Sequence, residues 1–374
     1  MSNPQSFPAS VYATRLTRAQ QLATSAGTPL VITPGPDLAY LTGIVSESFE
    51  RLTALVITDA GFGLVVPRLE LAILKDSSVP GLGEAGVELS VLDWVDGDDP
   101  YALVLGLLAG ATTVAVADAV PALHLVPLLD RGLSARLATD VLRRLRMIKD
   151  AAELDELRAA GAAIDRVHAR VGDFLKVGRT EREVADDIAA AIVEEGHTEA
   201  AFIIVGSGPH GADPHHEVSD RVVEAGDVVV VDIGGPLASG YNSDCTRTYA
   251  MGEPSEEILE QYALLERAQR ASVDAVRPGV SAEAIDAAGR DLLADAGLGE
   301  FFLHRTGHGI GLSVHEEPYI VAGNDIPVEP GMAFSIEPGI YFSGRWGARI
   351  EDIVIVTEDG CEPVNTRPHS LTIL

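Results

Sequence analysis

Val228-Val229-Val230-Val231-Asp232-Ile233-Gly234 and, after a turn, Asn242-Ser243-Asp244-Cys245-Thr246-Arg247-Thr248 are two runs whose composition predicts a β-hairpin. Each run carries a carboxylate, Asp232 or Asp244, where an uncompensated charge would be costly. The pattern returns near the end of the chain. Glu337 closes Ala333-Phe334-Ser335-Ile336, and Glu351 lies between Ile350 and the apolar residues 353–356. Asp232 and Asp244 are 12 apart, Glu337 and Glu351 14 apart, a weak echo of an internal repeat in which each half supplies one acidic hairpin. Adjacent strands lie about 4.8 Å apart, so acids at paired positions of a hairpin can face one spot. Two carboxylates about 4 Å apart repel by roughly 4 kcal/mol at an effective dielectric near 20. Four of them need cations or several bound protons.

A metalloenzyme is therefore expected, with His308 as the fifth ligand. Four carboxylates and one imidazole favour Mn²⁺, with Co²⁺ or Zn²⁺ as alternatives, over a thiolate-type zinc site. Two such ions about 3.5–4 Å apart can share a water, lower its pKa and polarise a carbonyl. That is hydrolytic chemistry.

Composition narrows the class further. At 374 residues the chain is long for one domain, and its 47% hydrophobic content supports a sizeable core. The balance of 27 basic against 56 acidic residues gives a net charge of −29. This argues against nucleic acid or an anionic membrane as partner. Two cysteines, Cys245 and Cys361, provide no disulfide framework and suit a reducing cytoplasm. The opening MSNPQSFPAS lacks the basic start and apolar run of a signal peptide. Residues 102–117 are almost wholly apolar, but Gly110-Ala111-Thr112-Thr113 breaks them into a helix, a turn and a short buried strand.

The N-terminal part alternates short apolar runs, at 30–33, 54–58, 63–66, 89–92 and 114–117, with helical patterns at 15–26 and 101–109. This predicts a mixed α/β domain. A boundary falls in the basic stretch 143–150. Beyond it, helices are expected at 151–175, after the Thr180/Glu183 capping box, at 255–276, and at 281–296 ahead of Gly297. Strands are expected at 201–205, 227–233 and 244–250, and the remainder is strand-rich.

The sharpest motif is His304-Arg305-Thr306-Gly307-His308-Gly309-Ile310-Gly311-Leu312-Ser313-Val314-His315-Glu316. Its glycines would allow close backbone approach to a ligand. The spacing is neither that of a dinucleotide loop nor that of an HExxH zinc helix. The segment resembles, position by position, the histidine motif of the aminopeptidase P and prolidase group of the pita-bread metallopeptidases. The blocks around Asp232, Asp244, Ser335-Ile336-Glu337-Pro338-Gly339-Ile340-Tyr341 and Arg349-Ile350-Glu351-Asp352 agree with it. Tyr40-Leu41-Thr42-Gly43 more loosely resembles the creatinase-type N-domain.

The resemblance implies an α/β (α+β) chain. A creatinase-type N-terminal domain would span 1–143, and a pita-bread catalytic domain, a pseudo-twofold β-sheet covered by helices, 144–374. It implies that Asp244 and Glu351 bridge two divalent metals, that Asp232 serves one, and that His308 and Glu337 serve the other. Glu337 would also shuttle the proton of a hydroxide bridging the metals. His215, rather than its neighbour His216, and His315 would act on the substrate. His304 and Arg349 would contact substrate or support a ligand. The expected activity is cleavage before proline in Xaa-Pro dipeptides by a cytoplasmic homodimer, with Xaa-Pro aminopeptidase action on longer peptides as the alternative. A metal-free creatinase-like hydrolase and a non-catalytic binding protein are disfavoured, because all five ligand positions are filled.

Overall fold

Two arrangements of short strands organise the chain, one in each of two compact units, Met1–Arg146 and Met147–Leu374. The structure is a computed structural model that describes residues 7–46 and 50–374. Most of the segment read for a signal peptide, residues 1–6, lies outside the described residues.

The first unit is built on a six-stranded sheet. Its strands are β1 (Leu30–Ile32), β2 (Ala54–Thr58), β3 (Gly61–Pro67), β4 (Leu89–Trp94), β5 (Thr113–Val116) and β6 (Ser134–Leu137), in the order β4-β3-β2-β1-β5-β6. Residues 102–117 divide as expected into the end of a helix, Pro100–Leu107, a turn and the buried strand β5. Among the described residues no helix is long and apolar enough to cross a membrane. The Tyr40–Gly43 motif ends the helix Pro36–Thr42, and Gly43 closes it at a φ of 68°, the left-handed conformation glycine tolerates best. The sequence reading missed the helix Ala122–Asp130 and strand β6. Pro127 inside that helix interrupts the pattern that would have announced it.

The second unit begins with helices α1 (Ala151–Phe174) and α2 (Glu181–Glu194), each opened by a capping box, Asp150 with Glu153 and Thr180 with Glu183. They cover the sheet formed by β7 (Phe202–Ser207), β8 (Val228–Pro236) and β9 (Asn242–Ala250). Ile164, Val167, Ile188 and Ile192 pack on Val229, Val231 and Ile233. Burying each such side chain contributes about 1.5–3 kcal/mol. Because side chains alternate along a strand, the face opposite Val231 and Ile233 receives Asp232.

Helices α3 (Glu256–Ala275) and α4 (Ala282–Asp295) precede a second sheet. Its strands are β10 (Gly307–Gly309), β11 (Glu316–Ile320), β12 (Ala333–Ile336), β15 (Asp352–Val356) and β16 (Cys361–Pro363), with the hairpin β13 (Gly339–Phe342) and β14 (Trp346–Arg349) inserted between β12 and β15. A short β17 (Thr372–Ile373) adds in parallel to β9. The core beneath α4 joins Ala282 and Ile285 to Phe334, Ile336 and Val354.

Two expectations about local geometry change. Asp232 and Asp244 are not paired across their hairpin: Asp232 faces Thr246, and Asp244 faces Gly234. The offset of two residues keeps both acids on one face of the sheet. The glycines of the histidine motif also serve a different purpose. A Cβ on Gly307 would lie 1.8 Å from the Ser335 carbonyl oxygen, and one on Gly309 2.2 Å from that of Glu317. They let neighbouring backbone, rather than a ligand, come close.

Candidate metal centre

Asp232 leaves the middle of β8 and Asp244 the start of β9. Glu337 follows β12 directly, and Glu351 precedes β15 directly, one step beyond the Ile336–Asp352 pair. The two sheets meet where the Glu351 amide donates to the Thr246 carbonyl (3.2 Å) and Arg247 Nη1 donates to the Glu351 carbonyl (2.6 Å). These contacts bring acids from opposite ends of the unit into one cavity of about 710 Å³, walled also by His215, His304, His308, His315 and Arg349. Candidate donor atoms of Asp232, Asp244 and Glu351 lie within 4.8 Å of one another, and so do those of His308, Glu337 and Glu351.

These residues fit divalent cations. Asp232 Oδ1 and Glu351 Oε1 are buried with no hydrogen-bond partner, which is unfavourable unless something else compensates them. His308 donates from Nδ1 to the Gly309 carbonyl (3.1 Å). Nε2 faces Glu337 Oε1 at 3.2 Å and Asp244 Oδ2 at 3.6 Å: a protonated ring donates to them, and the neutral ring offers a metal the lone pair that a ligand requires. Ser335 Oγ accepts from the His308 amide and donates to Glu337 Oε1, tying the motif to that carboxylate.

Charge repulsion is written into the titration of the cluster. Burial, then the charges of Glu351, Asp232 and Glu337, push the Asp244 carboxyl well above its usual range. Burial, then Glu337 and Asp232, do the same to Glu351. Burial and Glu337 also raise Asp232, against the pull of Arg349. Glu337 goes the other way. Burial would raise it, yet the hydrogen bond and charge of His308 in its protonated form hold it at about 2.

The supporting groups are equally specific. Arg349 donates from Nη2 to Asp232 Oδ2, from Nε to Thr246 Oγ1 (3.1 Å) and from Nη1 to the Tyr341 hydroxyl (2.8 Å). His304 donates from Nδ1 to the Arg305 carbonyl, so its Nε2 accepts from the Tyr341 hydroxyl (2.8 Å). Burial holds His304 below the usual histidine range, in keeping with that accepting role. Thr246 Oγ1 donates to Glu351 Oε2 (2.6 Å). These bonds join His304, Tyr341 and Arg349 to Asp232 in one chain.

His215 lines the cavity, whereas His216 turns away and places Nε2 2.7 Å from Glu181 Oε2. Glu181, fully buried at the start of α2, also accepts from His210 Nδ1 (3.0 Å) and from the amide and hydroxyl of both Ser207 and Ser219. One carboxylate thus clamps both ends of the loop that carries His215. Burial would raise Glu181, but the donors from Ser219, Ser207 and His216 hold it at about 2. Glu181, His210 and His216 form a metal-like triad by position, yet their hydrogen bonds satisfy both carboxylate oxygens. His315 stands edge-on to His308, with ring centroids 4.1 Å apart. Burial, then the charges of His308 and Arg305, lower it to about 4.

Sequence reasoning missed Glu181 and Arg305, and also the apolar wall of Phe202, Ile204, Pro214 and Val314. Arg305 was adjacent to a residue already singled out. Glu181 carried no signal beyond its place at a helix start.

Comparison with known proteins bears on this geometry. Residues 155–358 match the model of metallopeptidase family M24, and residues 15–148 match the creatinase/prolidase N-terminal domain. The chain is 64% identical over 372 residues to the probable dipeptidase PepE of Mycobacterium tuberculosis, covering 98% of each. It is 36% identical over 348 residues to the Xaa-Pro dipeptidase of Lactobacillus helveticus, covering 90% of this chain and 92% of the relative. The crystal structure of dipeptidase PepE from Mycobacterium ulcerans superposes with a TM-score of 0.94 at 63% identity, over 98% of this chain and 99% of that one.

Proposed function

The chain belongs to metallopeptidase family M24, and from that membership we propose that it is a dinuclear-metal dipeptidase cleaving the bond before proline in Xaa-Pro dipeptides. Its fold is the creatinase-type α/β domain followed by the pita-bread domain. The observation that carries the metal reading is the pair of unpartnered buried oxygens, Asp232 Oδ1 and Glu351 Oε1, beside the Nε2 lone pair of His308.

Asp232, Asp244, His308, Glu337 and Glu351 would hold the ions, with Asp244 and Glu351 shared between them. Divalent cations bound there would polarise the scissile carbonyl and lower the pKa of water. Glu337 would accept the proton of the attacking water and pass it to the leaving nitrogen. His215 and His315, both on the cavity wall, would donate hydrogen bonds to the substrate oxygen as negative charge develops on it. Arg349 and Thr246 would keep Asp232 and Glu351 oriented.

The proline preference is supported by the Xaa-Pro dipeptidase among the relatives and by the apolar wall of Phe202, Ile204, Pro214 and Val314. A bond to proline offers no N–H, so a shaped apolar slot must replace that contact. Manganese is supported by the oxygen-rich donor set. The two free cysteines are in keeping with a cytoplasmic setting, and a homodimer remains the expectation from the family resemblance.

Hydrolysis of Leu-Pro and Leu-Leu by protein stripped with a chelator and then reloaded with Mn²⁺ tests the proposal. Leu-Pro cleavage should depend on the added ion and exceed Leu-Leu cleavage. Cleavage indifferent to chelation would overturn the metal mechanism, and a preference for Leu-Leu the proline specificity.

A further inference from the structure

We propose that Arg305 binds the free carboxylate at the product end of the substrate, and that this contact confines the enzyme to dipeptides. The proposal rests on the dipeptidase reading above and names the residue that enforces it.

Arg305 lines the cavity that holds the metal candidates. Its guanidinium lies 4.5 Å from the ring centroid of Tyr319. Stacking on an aromatic face holds the planar fork while leaving its edge donors available. Those donors make no ion pair or hydrogen bond with any described residue. In a chain with 56 acidic and 27 basic residues, a guanidinium beside four carboxylates and paired with none is unusual. The other arginine of the cavity wall is committed: Arg349 is 3% exposed and bonded to Asp232, Thr246 and Tyr341. Lys149, which is near the histidine motif, is paired with Glu316 at 2.8 Å.

The substrate supplies the missing partner. A dipeptide entering this cavity brings a carboxylate that loses its water there, a cost that a guanidinium bonded to it can offset. Of the cavity-lining cations among the described residues, Arg305 alone has its fork open, and the fork matches a carboxylate in two parallel bonds. A longer peptide places a neutral amide and further chain where the dipeptide has its carboxylate. It loses this contact and leaves the guanidinium unpaired.

Comparison of kcat/KM for Leu-Pro and Leu-Pro-amide, in the Mn²⁺-loaded wild type and in Arg305→Met and Arg305→Lys, tests the proposal. Wild type should favour the acid over the amide by about 100-fold, the worth of a charged bidentate contact. In Arg305→Met that ratio should collapse toward one, with Arg305→Lys between. The ratio is internal to each variant, so partial misfolding scales both substrates alike. No acid preference in wild type, or an undiminished preference in Arg305→Met, would overturn the assignment. If wild type cuts Leu-Leu and not Leu-Pro, the proline reading fails on its own, and the same acid-to-amide comparison on Leu-Leu still decides the role of Arg305.

Discussion

Arg349 Nη2 and Asp232 Oδ2 stand 2.5 Å apart although 117 residues separate them, and Asp232 Oδ1 is left without a partner. One oxygen is spoken for by a fixed cation and the other is open. That division orients the carboxylate toward the centre, and Thr246 does the same for Glu351, whose Oε1 is also open.

Replacing Arg349 by Met should therefore damage the site without touching a candidate ligand. Removing one partner of a buried pair typically costs about 3–5 kcal/mol, because the other charge stays buried. Loss of an orienting group costs about 10–100-fold in metal affinity or activity. Titration calorimetry with Mn²⁺ should show weakened binding, and Arg349→Lys, which keeps the charge but loses the fork, should recover only part of it. Wild-type affinity in Arg349→Met would contradict this role.

Cations should stabilise the fold as well as enable catalysis. Asp244 and Glu351 are pushed well above the usual carboxylate range by burial and by each other's neighbours, so binding would relieve that repulsion. A ligand at about 100 times its dissociation constant adds about 2.7 kcal/mol. The melting temperature should drop on chelation, and Mn²⁺ should restore it with two equivalents bound per chain. Asp244→Ala should abolish both the thermal response and turnover; a variant still stabilised by two equivalents would exclude Asp244 as the shared ligand.

Glu181 should act on the reaction through His215. Its carboxylate gathers Ser207 and Ser219, which bracket the loop, together with His210 and His216. Glu181→Gln should lower kcat by about 10-fold with Mn²⁺ content unchanged. In a His215→Ala background the same change should do little more, since residues acting as one unit are not additive. Full additivity in that double-mutant cycle would separate the two.

His168 makes stability depend on pH. It donates from Nε2 to the Cys245 carbonyl (3.0 Å) and its Nδ1 accepts from the Tyr249 hydroxyl (3.0 Å). Burial, with the charge of Arg247, lowers it from 6.5 to about 3. Between those values the unfolded chain binds the extra proton and the folded chain does not, so stability falls as pH drops through that window. Melting curves across it should show a shallower fall for His168→Gln than for wild type. Parallel curves would show that His168 is not the group responsible.

Much of this arrangement was readable in one dimension because each relevant residue broke a local rule. Asp232 after four valines and Glu351 among isoleucines are charges where a strand wants apolar side chains. The Thr180/Glu183 box and the glycine after α4 marked helix ends for equally local reasons. Glu181 obeyed every local rule, an acid in the first turn of a helix, and nothing nearby hinted at its six donors. Pro127 hid a helix that tertiary packing nevertheless forms.

Periodicity and residue chemistry, both properties of neighbours along the chain, specify the hairpins, the acids they carry and the histidine motif. Distances across the fold are set by packing, and packing alone assigns partners. It offsets Asp232 from Asp244 by two residues on a shared face and turns His216 to Glu181 while His215 meets the cavity. It also stacks Arg305 on Tyr319 with its fork open. A one-residue slip in the β8–β9 register would send Asp244 to the opposite face and dissolve the centre with the composition unchanged.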